Sequence, residues 1–297
     1  MSDTRLADIV PDASERLLTL AVSAGSEIMS VYGSSFSAER KADGSPVTVA
    51  DERAEAVILA GLADVFPSVP VVAEEAVEAG NLPEASNRYF LVDPLDGTKE
   101  FVSRNGEFTV NIALVEEGVP VFGVVYAPAL GEIFWGGALS ADLVGEGASA
   151  NSSGAYKGKV VDGEIVDVTP IAVRSAPVSG LSVLASRSHL SEETAAFIEK
   201  FNVAERVSAG SSLKLCLLAE GKADLYPRLA PTMQWDIAAG DAVLRAAGGA
   251  VLVADGYEPL GYRVPKGAEK SDLLNPFFVA LSSPALLAEA GLMVGAA

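Results

Sequence analysis

The chain has 297 residues, of which 49% are hydrophobic and 21% are charged, a balance that suits one large domain or two closely packed domains. Asp and Glu number 40 against 21 Lys and Arg, and the resulting net charge of −19 argues against non-specific binding to nucleic acid or anionic lipid. The single cysteine, Cys216, excludes an internal disulfide and a cysteine-based zinc site, and it predicts a cytoplasmic protein.

The first half of the chain combines helices with closely spaced strands. Apolar residues at helical spacing predict a first helix and, after a polar loop at residues 41–48, a second one. Because the later strands follow one another after short connections, with Glu117-Gly118 as one turn, we expect an antiparallel sheet. The predicted helices span residues 12–32 and 50–66, and the predicted strands span residues 69–73, 89–92, 109–115, 121–126 and 133–135.

Residues 139–163 are rich in Gly, Ser, Ala and Asn, and we interpret them as a junction loop between two halves, residues 1–145 and 165–297. Beyond the loop, strands and helices alternate, which is typical of an α/β arrangement. The predicted strands are residues 181–185, 203–207, 223–226, 250–253 and 277–281, and the predicted helices are residues 192–201, 211–220 and 236–247.

The C-terminal stretch from Asn275 carries one charge, Glu289, but Ser282-Ser283-Pro284 divides it into two short pieces. We therefore expect a buried strand and a short helix there, and no membrane span. The predicted fold class is mixed α/β with layered helices and sheets, antiparallel in the first half and α/β in the second.

The stretch 93–101, DPLDGTKEF, is the densest concentration of chemistry in the sequence. An apolar run leads directly into Asp93 and Asp96, whose carboxylates repel each other unless a cation or a proton joins them. Pro94 lacks an N–H and fixes its own φ, so we expect the strand to end there. The pattern predicts a site for a hard metal ion.

The residues that follow point to phosphate. Gly97 allows a ligand to approach the backbone closely, and Thr98 is predicted near a helix N-terminus, where free N–H groups favour an anion. A phosphorylated substrate is an anion, and a strongly acidic protein repels it. Bound divalent cations and a few basic residues would therefore have to make the electrostatic potential at the site positive. Together these features suggest metal-assisted phosphate chemistry.

Other acidic residues have both a functional and an ordinary interpretation. Glu74 follows a short strand and is either a further metal ligand or part of a solvated turn. Asp236 begins a predicted helix, where it is either an ordinary N-cap or an N-cap whose side chain faces a cleft. Asp51 is either an acidic residue of the first helical turn or a partner of Thr98 in orienting a water. The Leu95 carbonyl, between the two aspartates, is a further oxygen ligand for Mg²⁺.

Candidate anion-binding residues lie in the second half. His189 is the only histidine and is either a surface residue or a ligand contact. Ser211 and Lys214 begin a predicted helix, which suits an anion or an ordinary cap, and Arg228 either binds phosphate or caps a loop. Cys216 is interpreted as a core residue.

Three blocks, in order, resemble the inositol monophosphatase superfamily of magnesium-dependent, lithium-sensitive phosphatases, and the similarity covers nearly the whole chain. They are Glu74-Glu75, Asp93-Pro94-Leu95-Asp96-Gly97-Thr98 and Trp235-Asp236-Ile237-Ala238-Ala239-Gly240. Finer features are similar to the 3′(2′),5′-bisphosphate nucleotidases of the bacterial CysQ type, whereas inositol phosphatases usually have a second threonine where this chain has Lys99. These features are residues 41–48, 99–101, 104–111, 186–189, 210–214 and 225–228. The chain departs from the pattern mainly at 139–163, which looks longer than in compact members.

The resemblance implies a layered αβαβα sandwich and a role for each matched residue. The first half would carry most of the metal site, and the C-terminal half would contribute Asp236 and the nucleotide contacts. One Mg²⁺ would be held by Glu74, Asp93 and the Leu95 carbonyl, a second by Asp93, Asp96 and Asp236, and a weaker third with help from Glu74. Asp51 and Thr98, with Glu74, would activate the attacking water. The substrate would contact Gly97, Thr98, His189, Ser211, Lys214, Arg228 and Asp236.

The implied reaction is hydrolysis of adenosine 3′,5′-bisphosphate to AMP and phosphate by in-line attack of a metal-activated water, with two or three Mg²⁺, and with it a place in sulfur assimilation. The alternatives are an inositol or sugar monophosphate phosphatase with the same metals and, from another class, a non-catalytic nucleotide-binding regulator. The sequence leaves open whether 3′-phosphoadenylyl sulfate is a substrate and whether the protein is a monomer or a homodimer. Some relatives attach peripherally to the inner face of the membrane, but this sequence shows no basic amphipathic helix that would support such attachment.

Overall fold

The computed structural model describes residues 12–40, 46–84, 86–144, 153–185 and 191–292. Its helices are α1 (Asp12–Tyr32), α2 (Val49–Val65), α3 (Glu74–Glu78), α4 (Thr98–Val102), α5 (Ala141–Val144), α6 (Glu192–Ile198), α7 (Leu213–Ala219), α8 (Gln234–Ala246), α9 (Ala285–Glu289) and a 3₁₀ turn, Lys270–Leu273. Its strands are β1 (Glu39–Arg40), β2 (Pro46–Val47), β3 (Val71–Ala73), β4 (Arg88–Asp96), β5 (Thr109–Glu116), β6 (Val119–Ala127), β7 (Glu132–Gly137), β8 (Ala155–Val161), β9 (Glu164–Ile171), β10 (Leu181–Ala185), β11 (Val203–Ser208), β12 (Leu225–Arg228), β13 (Ala250–Val253) and β14 (Phe278–Leu281).

The first half forms a sheet with the order β3-β4-β5-β6-β7-β8-β9, antiparallel except for the parallel pair β3 and β4. The predicted turn between β5 and β6 is confirmed: Glu117 and Gly118 both have positive φ, 50° and 80°. Side chains on β5 alternate between two cores, so Ile112 faces α1 and α2 while Ala113 faces α8. This burial on both faces explains the nearly continuous apolar runs of the sequence.

Part of the predicted junction loop is instead ordered as strand. Ala155–Val161 pairs with β7, and β9, which was not predicted, pairs with β8 to form the edge of the first sheet. Most of β9 is exposed to solvent, so its sequence lacks a strong buried-face pattern. Residues 145–152 lie outside the described ranges, and the division of the chain at this loop stays a prediction.

The second half forms a mixed sheet with the order β11-β10-β12-β14-β13, and each of its predicted strands is confirmed to within two residues of its predicted ends. The helices α7 and α8 pack between the two sheets, α1 and α2 cover the outer face of the first, and α6 and α9 cover the outer face of the second. The predicted layered αβαβα sandwich is therefore confirmed. No helix in the described ranges is long and apolar enough to cross a membrane.

Close packing of α8 on the first sheet sets the position of Asp236, in the first turn of that helix. A Cβ atom on Gly123 of β6 would lie 2.3 Å from the Ala239 carbonyl oxygen of α8, so only glycine fits this contact. Trp235, beside Asp236, is buried in the core between the sheets. This packing holds α8 against the first sheet, in which β4 carries Asp93 and Asp96.

Candidate active site and metal centre

The aspartates of the DPLDGT stretch lie at an interruption in β4. Asp93 pairs with Asn111 of β5 and Asp96 pairs with Thr109, and the register shifts between these two pairs. The expected break at Pro94 is present, but the expectation that the strand ends there was wrong, because pairing resumes at Asp96. The interruption turns Asp93 Oδ1 back to accept a hydrogen bond from the Leu95 N–H at 3.0 Å.

Gly97 links this strand to α4, as the prediction of a helix start near Thr98 required. Its φ of 91° lies in the left-handed region, and a Cβ atom there would lie 2.1 Å from Ser211 Oγ. Both facts require glycine. The Ser211 hydroxyl lies 2.8 Å from the carbonyl oxygens of Asp96 and Glu107, so it secures the turn from the second half of the chain. Its predicted contact with substrate stays a prediction.

Asp51 and Thr98 meet, although 47 positions separate them in the sequence. Thr98 Oγ1 lies 3.2 Å from Asp51 Oδ1 and 3.3 Å from the Leu95 carbonyl oxygen. Asp51 is only 1% exposed, and its Oδ2 accepts hydrogen bonds from the N–H and the hydroxyl of Thr48, both at 2.8 Å. This capping box at the start of α2 fixes the carboxylate so that its other oxygen faces Thr98.

Four acidic side chains from three segments interact electrostatically: Glu74 of α3, Asp93 and Asp96 of β4, and Asp236 of α8. Burial raises the pKa of Asp93 well above its usual range, and Glu74, Asp96 and Asp236 raise it further. Burial likewise raises the pKa of Asp236, with added repulsion from Asp96 and Glu74. The pKa of Asp96 is raised to about 6, chiefly by burial, with Lys214 acting in the opposite direction. Such repulsion favours binding of protons or cations.

The donor set fits hard divalent cations. One oxygen of Asp96 accepts from the Ser212 N–H at 2.8 Å and one of Asp236 accepts from the Met233 N–H at 2.9 Å. A carboxylate has two oxygens with two lone pairs each, so these bonds leave capacity for an ion. Across the described ranges, no three His, Cys, Asp or Glu side chains form a finished metal cage. Mg²⁺ does not need one, because it typically takes one or two carboxylates together with water and substrate phosphate oxygens.

A cleft of about 150 Å³ extends from Asp96 and Asp236 toward two basic residues, Lys214 and Arg228. Lys214 is 7% exposed, and its ammonium group donates to the carbonyl oxygens of Ala209 and Ser211 at 3.1 and 2.8 Å. Burial lowers the pKa of Lys214 to about 8, and Arg228 lowers it further while Asp96 opposes the shift. One N–H of the ammonium group remains available for an anion.

Arg228 is the second of these basic residues in the cleft. Its Nη2 donates to the Pro231 carbonyl oxygen at 3.1 Å, while its buried Nε has no hydrogen-bond partner among the described residues. Arg228 also lines the cleft, and the fork of N–H groups in a guanidinium suits an anionic ligand there. His189, the remaining predicted basic contact, lies outside the described residues, so its role stays a prediction.

Two polar residues at the site were missed by sequence reasoning. Asn111 of β5 and Ser212, just before α7, are buried and hydrogen-bonded to each other. Asn111 did leave a signal, because it is a single amide in the apolar stretch TVNIALV. Ser212 lies in the stretch 210–214 that resembles the nucleotidases, but it did not stand out by itself because serine at the start of a helix is an ordinary cap.

Comparison with known proteins agrees with this architecture. The model of the inositol monophosphatase family matches residues 13–284. The 3′(2′),5′-bisphosphate nucleotidase CysQ of Salmonella typhimurium (strain LT2) is 45% identical over 238 residues, which cover 79% of this chain and 87% of that protein. The CysQ protein of Escherichia coli (strain K12) is 42% identical over 268 residues, covering 89% of this chain and 97% of that protein.

Solved structures give the same result. The crystal structure of CysQ from Bacteroides thetaiotaomicron has a TM-score of 0.69 and 39% identity, covering 91% of this chain and 97% of that chain. An IMPase from Thermotoga maritima also has a TM-score of 0.69, and its 24% identity shows the shared fold alone. Proteins of the matched family are generally metal-dependent phosphatases. The chain therefore belongs to the inositol monophosphatase family and, within it, to the CysQ group.

Proposed function

We propose that this protein is a Mg²⁺-dependent 3′(2′),5′-bisphosphate nucleotidase that removes the 3′-phosphate of adenosine 3′,5′-bisphosphate and releases AMP. The observation that carries the proposal is one cleft with two unlike parts. Asp96 and Asp236 line one part of it, and Lys214 and Arg228 line another. Thr98, which contacts Asp51, lines an adjoining pocket together with Glu74, Asp96 and Asp236. A substrate with two phosphates suits such a cleft, one at the metal site and one at the basic residues. The CysQ relatives bear the name of this activity.

The acidic residues would hold the cations in two overlapping sets. Glu74, Asp93 and the Leu95 carbonyl form one set, and Asp93, Asp96 and Asp236 form the other, with Glu74 assisting a weaker third ion. When bound, the ions supply a lowered pKa for the attacking water and neutralise charge on the transferring phosphoryl group.

The protein's own groups orient the reaction. Asp51 Oδ1 accepts from Thr98 Oγ1, and this pair can hold a water and take its proton as it attacks. The N–H groups of Gly97 and Thr98 hold the scissile phosphate at the beginning of α4. Lys214 and Arg228 hold the other phosphate, so that binding energy remote from the reaction aligns the 3′-phosphate. A non-catalytic binding protein has no need to position a water, which the Asp51–Thr98 pair is placed to do.

The test of this proposal is phosphate release with Mg²⁺ from adenosine 3′,5′-bisphosphate, inositol 1-phosphate and fructose 1,6-bisphosphate. We expect the bisphosphate nucleotide to have the largest kcat/KM. A preference for either of the other two would favour the sugar or inositol phosphatase alternative, and binding of nucleotide without turnover would favour a regulator.

Substitution of Lys214 separates the two enzyme alternatives. Lys214→Ala should raise KM for adenosine 3′,5′-bisphosphate about 10- to 100-fold, because a hydrogen bond to a charged group contributes about 1.5–3 kcal/mol. Steady-state kinetics on inositol 1-phosphate provide the control, since that substrate has no second phosphate to lose. Equal losses on both substrates would contradict a role for Lys214 at the second phosphate.

The lowered pKa of Lys214 predicts a distinctive pH dependence. The ammonium form, which binds an anion, dominates below pH 8 and is lost as the pH rises through the pKa of about 8. We therefore expect kcat/KM for adenosine 3′,5′-bisphosphate to fall above pH 8, since this ratio reports the free enzyme. Adenosine 3′-monophosphate should lack this fall, and Lys214→Arg should move it to higher pH. A fall of equal size with both substrates would assign it to another group.

A further inference from the structure

One buried serine touches both halves of the proposed metal site. The Ser212 N–H donates to Asp96 Oδ2 at 2.8 Å, and the Ser212 hydroxyl forms a short hydrogen bond to the Asp236 carbonyl oxygen. Asp96 belongs to the first half of the chain and Asp236 to the second. Ser212 is therefore a direct link between two of the carboxylate-bearing residues.

Asn111 sets the direction of this link. Its Nδ2 group donates to Ser212 Oγ at 3.0 Å and lies 3.5 Å from Asp96 Oδ2, and its Oδ1 accepts from Thr109 Oγ1 at 3.0 Å. Because Asn111 occupies the hydroxyl as a donor, the Ser212 proton is directed to the Asp236 carbonyl. Thr109 and Asn111 are 0% exposed and Ser212 is 2% exposed, so water is poorly placed to replace these bonds.

This chain of hydrogen bonds lies between two apolar cores. The core between the sheets and the core beneath α1 and α2 are built from apolar side chains on both sides of it. Ser212 is bonded to both Asp96 and Asp236, and metal ions are sensitive to the spacing of their ligands because coordination distances are short and narrowly defined.

We infer that Ser212 and Asn111 are positioning residues that hold Asp96 and Asp236 at the spacing needed to share a divalent cation. The inference rests on the proposed function, since it takes these carboxylates to be metal ligands. It assigns Asn111 of β5 and Ser212 of the β11–α7 connection to metal affinity, and not to substrate contact.

The test is Mn²⁺ binding, measured from the EPR signal of the free ion without substrate. Ser212→Ala and Asn111→Ala should each raise the Kd for Mn²⁺ about 10-fold or more, the range typical for groups that orient metal ligands. Ser212→Thr, which keeps the hydroxyl, should restore most of the affinity. Because Asn111 acts largely through Ser212, the double variant should lose less than the sum of the single losses.

Lys157→Met is the matched control. Lys157 contacts Glu132 at 2.8 Å and Glu220 at 3.1 Å, so it joins the two halves at the opposite end of α7 from Ser212. The control should lower Tm and leave the Kd for Mn²⁺ unchanged. Unchanged Kd values in Ser212→Ala and Asn111→Ala, with only Tm lowered, would overturn the inference. Absence of Mn²⁺ binding in the wild type, or unaltered binding in Asp96→Asn, would instead overturn the proposed metal site itself.

Discussion

Replacing Asp96 with asparagine should abolish Mg²⁺-dependent phosphate release while the protein stays folded. Asp96 lines the cleft beside Asp236, and an amide cannot supply the charge that balances a divalent cation. Removal of a group that only orients a metal ligand typically lowers activity about 10- to 100-fold, and the loss of activity in Asp96→Asn should be larger. Phosphate release over a Mg²⁺ titration measures it.

The same variant should be no less stable than the wild type without Mg²⁺. The pKa of Asp96 is about 6 in the fold, above its usual value, so the folded form disfavours the charge. In the unfolded chain this carboxyl ionises at lower pH, and the wild type therefore loses stability as the pH rises through that interval. The asparagine side chain of the variant does not titrate. We expect the Tm of the variant at pH 7 to equal or exceed that of the wild type, and the rise in Tm on adding Mg²⁺ to disappear.

Asp241→Asn is the control for the loss of a buried carboxylate. Asp241 also lies on α8, where it binds Arg245 Nε at 2.7 Å and the Tyr262 hydroxyl at 2.9 Å, away from the cleft. Removal of one partner of a buried ion pair is destabilising, so its Tm should fall while Mg²⁺-dependent turnover persists. An Asp96→Asn protein that kept most of its Mg²⁺-dependent activity would contradict the metal assignment.

Asp51→Asn should lower kcat by about 10²- to 10⁴-fold with little change in KM, the range expected when a general base is lost. Asparagine preserves an oxygen for the Thr48 cap but cannot take a proton from water. The measurement is kcat at saturating Mg²⁺ and adenosine 3′,5′-bisphosphate, beside Mn²⁺ affinity, which should not change.

Thr98 provides the companion test of the same pair. Thr98→Val removes the hydroxyl that lies 3.2 Å from Asp51 Oδ1 and should lower kcat in the same direction, while Thr98→Ser should retain most of the activity. Variants of Asp51 and Thr98 that raised KM alone would show that the pair binds substrate and does not act on the water.

Elements with strong local patterns were predicted almost to the residue. The helix predicted at residues 12–32 and the strand predicted at residues 250–253 coincide with α1 and β13. Each has a regular apolar pattern that is buried, and glycines or polar residues mark its ends. Strand β9 was missed for the opposite reason. It lies at an exposed sheet edge, where pairing with β8 and not burial determines its conformation.

The chemistry of the site was only partly predictable. The residues of DPLDGT are adjacent, so their types and spacing point to metal and phosphate from the sequence alone. The contact between Asp51 and Thr98 depends on packing of α2 against β4, and the contact of Asn111 with Ser212 joins residues 101 positions apart. No local pattern carries such long-range pairings, because each forms only when elements distant in the sequence pack together.

In the proposed binding mode, the phosphate to be cleaved lies beside Asp96 and Asp236 while the other phosphate lies at Lys214 and Arg228. The most direct test is ³¹P NMR of adenosine 3′,5′-bisphosphate during hydrolysis by the wild-type protein with Mg²⁺. We predict that the 3′-phosphate resonance is lost and that AMP with its 5′-phosphate accumulates beside inorganic phosphate. Accumulation of adenosine 3′-phosphate, or no hydrolysis of this substrate, would contradict the account.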